Sequence, residues 1–136
     1  MYGTTGWGAG PGDGGLFTET PGPNGSWEYN WSYSFQGGKD AADPWGTLTL
    51  DAAGNMYGAT LEGGGGPCQN YGGGCGTVFK LTQRKGVWSD RVLHAFKNHP
   101  GAYPHAGVIL DASGNLYGTT YGDDKKTFGS VFEITP

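Results

Sequence analysis

Short runs of alternating apolar and polar residues recur along this chain, and Gly, Pro, Asn and Asp separate them. Examples are "AGVILD" at 106–111, "LYGTT" at 116–120, "SVFEIT" at 130–135 and "RVLHAF" at 91–96. Alternation with β-branched or aromatic residues, bounded by turn formers, is typical of short strands. No stretch keeps a helical period over three turns. The pattern therefore predicts an all-β protein with almost no helix.

The runs belong to an internal repeat with a period of about 60 residues. "YGTT", "YGAT" and "YGTT" begin at Tyr2, Tyr57 and Tyr117, and Trp27 and Trp88 recur in phase. We therefore expect one repeat domain over 1–136. Its copies are 2–55, 56–115 and the partial copy 116–136.

The phrases "DAAGN" and "DASGN" are predicted to be tight hairpins. The Asp side chain can accept hydrogen bonds from amides of its own turn, and Gly or Asn tolerates a positive φ. A calcium-binding role for the same residues is the alternative, and the turn chemistry favours the hairpin.

The segments "GNLYGTT", "GTVFKLT", "VLHAF" and "P.AGVILDASGNLYG" resemble the GloVer-type (choice-of-anchor) tandem repeats of secreted bacterial proteins, which are similar to NHL-like repeats. The resemblance covers nearly the whole chain. It implies β-propeller blades of four antiparallel strands, with "GVILD" innermost, then "LYGTT", "SVFEIT" and "VLHAF". It carries over no catalytic residues. The first copy departs from the pattern, since "GLFTET" and "WSYSF" replace the usual apolar alternation.

Placed in that order, the strands form about three partial blades. The first has the second, third and outer strands, the middle one has all four, and the last has the inner, second and third strands. Such a set cannot close a ring, and its open sides expose apolar faces and unpaired edges. A homo-oligomer is therefore expected, most simply a dimer that closes a ring of about six blades. The alternative is a fragment of a longer propeller, with Met1 where leucine usually precedes "YGTT".

Composition narrows the class of protein. With 8 Lys and Arg and a formal charge of -4, the chain has no basic surface for nucleic acid. No apolar run is long enough to span a membrane, and no charged apolar leader precedes the first repeat. If the protein is secreted, as the resemblance implies, its signal has been removed or was never part of the sequence.

One loop carries the insertion "CQNYGGGC", which contains both cysteines. The spacing of Cys68 and Cys75 does not match a zinc knuckle, and no second Cys pair exists to complete one. A disulfide between them is favoured over free thiols or a metal site. It would also favour an extracellular or periplasmic location.

Function is expected on the loops that follow the second strand and precede the inner strand, because these loops differ between copies and share one face. Aromatic rings beside short polar groups suit sugars, whose C–H faces stack on aromatics. The predicted ligand-binding residues are Trp7, Asn70, Tyr71, Tyr103 and Tyr121.

A carbohydrate-active enzyme is the alternative to a glycan- or surface-ligand-binding and assembly module. Glu62 could pair with Asp123 or Asp124 as the two carboxylates of a glycoside hydrolase. His99 and His105 have no recurring spacing that predicts a metal site. No phosphate loop, nucleophile elbow or His-Glu-x-x-His helix is present, so no cofactor is predicted.

Overall fold

The computed structural model describes residues 1–8, 13–66, 68, 73–97, 101–122 and 128–136. These residues form three antiparallel sheets, each with its strands in chain order. The first sheet contains β1 (Tyr2–Thr5), β2 (Gly15–Pro21) and β3 (Trp27–Ser34). The second contains β4 (Ala41–Leu50), β5 (Met56–Gly63), β6 (Thr77–Arg84) and β7 (Val87–Ala95). The third contains β8 (Ile109–Leu110), β9 (Leu116–Thr119) and β10 (Val131–Ile134).

The all-β prediction is confirmed, since a 3-10 turn at Pro23–Gly25 is the one helical element among the described residues. The strands also group as expected, three, four and three. The sheets do not close into a ring within the described part of the chain, and only the second has four strands. A complete propeller is therefore not seen.

The two predicted Asp hairpins have the same hydrogen bonds. Asp111 accepts bonds from the backbone N–H of Ser113, at 2.8 Å, and from the backbone and side chain of Asn115, at 2.8 and 3.0 Å. Asp51 does the same between β4 and β5. The bonds from Asn115 hold the pKa of Asp111 below its ordinary value. We call the end of the sheets that carries these turns the hairpin end.

Adjacent sheets pack against each other in a repeated way. Phe35, which follows the first sheet, meets Phe79 of the second with ring centroids 5.0 Å apart. Phe96, which follows the second sheet, meets Phe132 of the third at 5.1 Å. Each pair lies in or against one of two buried apolar clusters, one at each junction. Edge-to-face contacts at this spacing are favourable for aromatic rings, so the repeat fixes the stacking of the sheets as well as their strands.

The outer faces of the stack are less covered. Trp27 and Trp88 occupy equivalent repeat positions, yet Trp27 is 58% exposed and Trp88 only 9%. Tyr2 of the preceding sheet contacts Trp88 edge-to-face at 6.4 Å, whereas no described sheet precedes that of Trp27. Recurrence in phase therefore does not give the two tryptophans the same burial.

Candidate ligand-binding surface

Three ring side chains form a row at the end of the sheets opposite the Asp hairpins, which we call the loop end. The centroids of Trp45 and His105 are 5.7 Å apart, and those of His105 and Tyr121 are 5.4 Å apart. Trp45 is half-exposed and Tyr121 largely exposed. We call Trp45, His105 and Tyr121 the aromatic row. Exposed flat rings at this spacing can stack on an apolar ligand face.

The row follows from the internal repeat. Trp45 and His105 occupy equivalent positions directly after Pro44 and Pro104. The residues before these prolines, Asp43 and Tyr103, both have left-handed backbones, with φ of 52° and 57°. This conformation is uncommon for residues other than glycine and persists only where neighbouring structure holds it.

Backbone hydrogen bonds hold both of these turns. The N–H of Asp43 donates to the carbonyl of Asp13 at 2.9 Å, and that of Tyr103 donates to the carbonyl of Cys75 at 2.9 Å. Asp43 and Tyr103 are at equivalent positions of neighbouring repeats. The same hydrogen-bonded turn therefore places Trp45 and His105 side by side.

Carboxyl groups border one end of the row. The indole Nε1 of Trp45 donates to Oδ1 of Asp43 at 3.0 Å. Burial raises the pKa of Asp43, while the bond from Trp45 and the charge of His105 partly offset that effect. Burial, followed by the charges of Asp43 and Asp13, raises the pKa of Glu62. We call Asp13, Asp43 and Glu62 the acidic group.

The chain between β1 and β2 also reaches this surface. A side chain at Gly6 would begin 2.1 Å from Oδ1 of Asp43, so the glycine lets the chain approach this carboxyl without displacing it. The next residue, Trp7, is well exposed, and its carbonyl accepts a bond from the Thr5 hydroxyl at 2.7 Å. The Thr60 hydroxyl bonds the carbonyl of Glu62 in the same way. Trp7 and Glu62 therefore hold equivalent positions in neighbouring sheets.

The predicted site residues have different outcomes. Trp7, Glu62 and Tyr121 lie at the loop end, as described above. Tyr103 is only 3% exposed, because its left-handed turn directs the ring into the apolar cluster between the second and third sheets, and it forms no part of this surface. The other predicted residues, Asn70, Tyr71, Asp123 and Asp124, lie outside the described residues, as does His99.

From the sequence, Asp43 and Trp45 fall in the loops of this face but are not among the predicted site residues, since packing is an equal interpretation for Trp45, and His105 is considered only as a metal ligand. The signal that could have found them is the pair Asp43-Pro44 and Tyr103-Pro104, whose repetition puts the following residues side by side. Among the described residues, no group of three or more His, Cys, Asp or Glu side chains could hold a metal ion.

The two cysteines form a disulfide. The Cα atoms of Cys68 and Cys75 are 5.1 Å apart, and both residues are buried at the junction of the second and third sheets. Gly76, directly after the bridge, has a φ of 93° and lies against Pro104. The bridge therefore lies close to the Tyr103 turn that supports the aromatic row.

A separate pair of acidic residues, Asp40 and Asp90, lies away from the row, between the first and second sheets. The carboxyl of Asp90, on β7, is close enough to hydrogen-bond that of Asp40. Burial, followed by Asp40, raises the pKa of Asp90 to about 8. Burial and the charges of Asp40 and Asp90 raise the pKa of Tyr33 to about 12. Asp90 therefore keeps its proton to higher pH than an ordinary carboxyl, and in that form it can donate a hydrogen bond to Asp40.

Comparison with known proteins gives a family and no individual relative. Across the described residues, no helix is long and apolar enough to cross a membrane. No curated protein and no solved structure matches the chain. The model of one family, described as the Gloeobacter/Verrucomicrobia repeat, matches residues 1–136, which is the whole sequence. The chain therefore belongs to the Gloeobacter/Verrucomicrobia repeat family.

Proposed function

We propose that this chain is a secreted bacterial β-propeller repeat module that binds glycans at its loop end. The observation that carries the proposal is the aromatic row, in which the ring centroids of Trp45, His105 and Tyr121 follow one another 5.7 and 5.4 Å apart. Rings supply stacking area, and the acidic group beside them supplies acceptors for hydroxyl groups. The disulfide is compatible with an oxidising compartment.

Retardation in native gels that contain soluble polysaccharides tests this proposal. Trp45→Ala and Tyr121→Ala should each weaken binding about fivefold, since an aromatic contact is worth about 1 kcal/mol. Ser113→Ala, at the hairpin end, is the matched control and should bind as the parent does. Equal binding by all three variants would show that the row is not the site.

Glycoside hydrolysis is the second candidate, and the pKa of Glu62 is the observation that favours it. A carboxyl whose pKa is raised by burial and by Asp43 can act as a general acid beside an ionised partner. Release of reducing sugar from the same polysaccharides, lost in Glu62→Gln, is the expected result for an enzyme. If the parent and Glu62→Gln both bind the polysaccharides and neither releases reducing sugar, the enzyme hypothesis is rejected and the binding module is retained.

We also propose that the module assembles with itself through its open sheet faces. Tyr117 is the repeat equivalent of Tyr2, and Trp27 is that of Trp88, so the third sheet of one copy could cover the first sheet of another as Tyr2 covers Trp88. A dimer closing a ring of about six blades is the simplest result. Sedimentation at micromolar concentration should show it, and Trp27→Arg should dissociate it while Trp7→Arg does not. A monomeric parent protein would overturn the proposal.

A further inference from the structure

The inner edge of the first sheet carries a row of backbone groups that face no partner strand among the described residues. Met1 and Glu19 exchange both of their backbone hydrogen bonds, at 2.6 and 2.8 Å. Because such pairs alternate along an antiparallel ladder, Gly3 also bonds toward β2. The N–H and C=O groups of Tyr2 and Thr4 must therefore point the other way, away from β2.

In the other two sheets this same edge is covered by an inner strand. Thr49 of β4 pairs with Tyr57, and Ile109 of β8 pairs with Tyr117. Tyr57 and Tyr117 are the repeat equivalents of Tyr2, so the ladder position that faces Tyr2 is defined twice within the chain. None of the described residues pairs with this edge of β1.

A groove lies where an inner strand of the first sheet would run. Its volume is ≈ 410 Å³. It is lined on one side by Tyr2, Gly3 and Thr4 and on the other by residues 46–48 and 50 of β4. The repeat therefore indicates the shape, polarity and pairing of the segment that this groove fits.

We propose that the β1 edge binds an extended segment of inner-strand sequence from another repeat of this kind, antiparallel to β1. A segment like 104–111 would place the equivalent of Ile109 opposite Tyr2, and its backbone would satisfy the groups of Tyr2 and Thr4. Added strands of this type gain affinity from main-chain hydrogen bonds and specificity from alternate side chains.

The neighbouring inner strands indicate which segment fits. Where β4 approaches the segment before β8, a side chain at Gly46 would begin 2.2 Å from the nitrogen of Gly107. Inner strands therefore meet through small residues. Thr47 of β4 lines the groove, at the repeat position that Gly107 holds next to the third sheet. The incoming segment therefore needs small residues where it meets Thr47, and Ala106 and Gly107 provide them.

A peptide of residues 104–111, PHAGVILD, labelled and titrated with the whole disulfide-bonded chain, tests the inference. We expect saturable binding, and slower amide hydrogen exchange at Tyr2 and Thr4 but not at Tyr117, which is already paired. A peptide of the same composition in scrambled order should not bind. Equal binding of the scrambled peptide, or unchanged exchange at Tyr2 and Thr4, would overturn the inference.

A pair of proline variants locates the binding edge. Thr4→Pro removes a free N–H at the β1 edge without breaking the ladder to β2, and should weaken binding at least about tenfold. Val131→Pro removes an N–H from the other open edge, on β10, and should leave affinity unchanged. The opposite pattern, or equal loss in both variants, would place the peptide elsewhere. The exchange measurement on the parent chain decides the question even if Thr4→Pro does not fold.

Discussion

Replacing Asp90 by asparagine should stabilise the protein relative to the parent at alkaline pH and change its stability little at acid pH. The carboxyl of Asp90 lies between the first and second sheets beside Asp40, and its Oδ1 atom has no hydrogen-bond partner. In the folded protein burial and Asp40 raise its pKa to about 8, from an ordinary value of 3.8. The unfolded chain therefore loses this proton long before the folded protein does.

The sign follows from linkage. Between pH 4 and 8 the folded state holds one proton more than the unfolded state, so the free energy of unfolding falls as pH rises and levels off above the folded pKa. At about 1.4 kcal/mol per pH unit the full effect would be at most about 6 kcal/mol. Water penetration and relaxation reduce such penalties, so we expect about 2–3 kcal/mol. Asparagine does not titrate, and its amide can donate to Asp40 as the protonated acid does.

Urea unfolding, followed by tryptophan fluorescence at pH 4.5 and 8.5, measures this difference. Asp90→Asn should change little at pH 4.5 and gain about 2–3 kcal/mol at pH 8.5 relative to the parent. The raised pKa values of Asp43 and Glu62 contribute the same slope to both proteins and so cancel. Glu28→Gln removes the same charge from an exposed position on β3 and should show no such dependence. A difference between parent and Asp90→Asn that is the same at both pH values would refute the reasoning.

Three further predictions concern contacts that stabilise the fold: the disulfide, the close approach of Gly46 and the Asp111 hairpin. Replacing Cys68 and Cys75 together by serine should lower the free energy of unfolding by about 2 kcal/mol, as expected for so short a closed loop, in urea titrations without reductant. Gly46→Ala should cost more than Gly54→Ala in the same titrations; both glycines have positive φ, but only Gly46 abuts another backbone, so equal losses would contradict the close approach. Asp111→Asn should destabilise at pH 7 and not at pH 2, because the lowered pKa of Asp111 makes its contribution disappear as pH falls; calorimetry at the two pH values checks this.

The sequence was sufficient for the strands, their order and the hairpins, because each depends on local physics. Apolar alternation places a strand, and an Asp followed by Gly-Asn closes its own turn wherever it occurs. Both signals are written twice in this chain, around Asp51 and Asp111, and the structure has the same hydrogen bonds at both. Repetition also made the grouping of strands predictable, although ring closure is not seen.

The site was less predictable, since its members meet only through the packing of sheets. Tyrosine is a common residue type in ligand-binding sites, but Tyr103 has a left-handed backbone that buries its ring. The sequence Tyr-Pro does not by itself predict that conformation. Asp40 and Asp90 carry no common motif, and their proximity depends on how β7 lies against the chain that follows the first sheet. Such contacts are long-range, so local alternation cannot encode them.

The proposals depend on opposite properties of the repeat. At the sheet edges the copies agree, so the pairing of Tyr57 and Tyr117 defines what Tyr2 lacks, and a strand partner can be inferred without a bound ligand. At the loop end the copies differ, since Trp45 stands where the next copy has His105, and the surface there is specific to this chain. In these proposals assembly depends on positions that the copies in this chain share, whereas ligand binding depends on positions at which the copies differ. Thr4→Pro and Trp45→Ala separate the two, because one alters a backbone edge and the other alters a ring at the loop end.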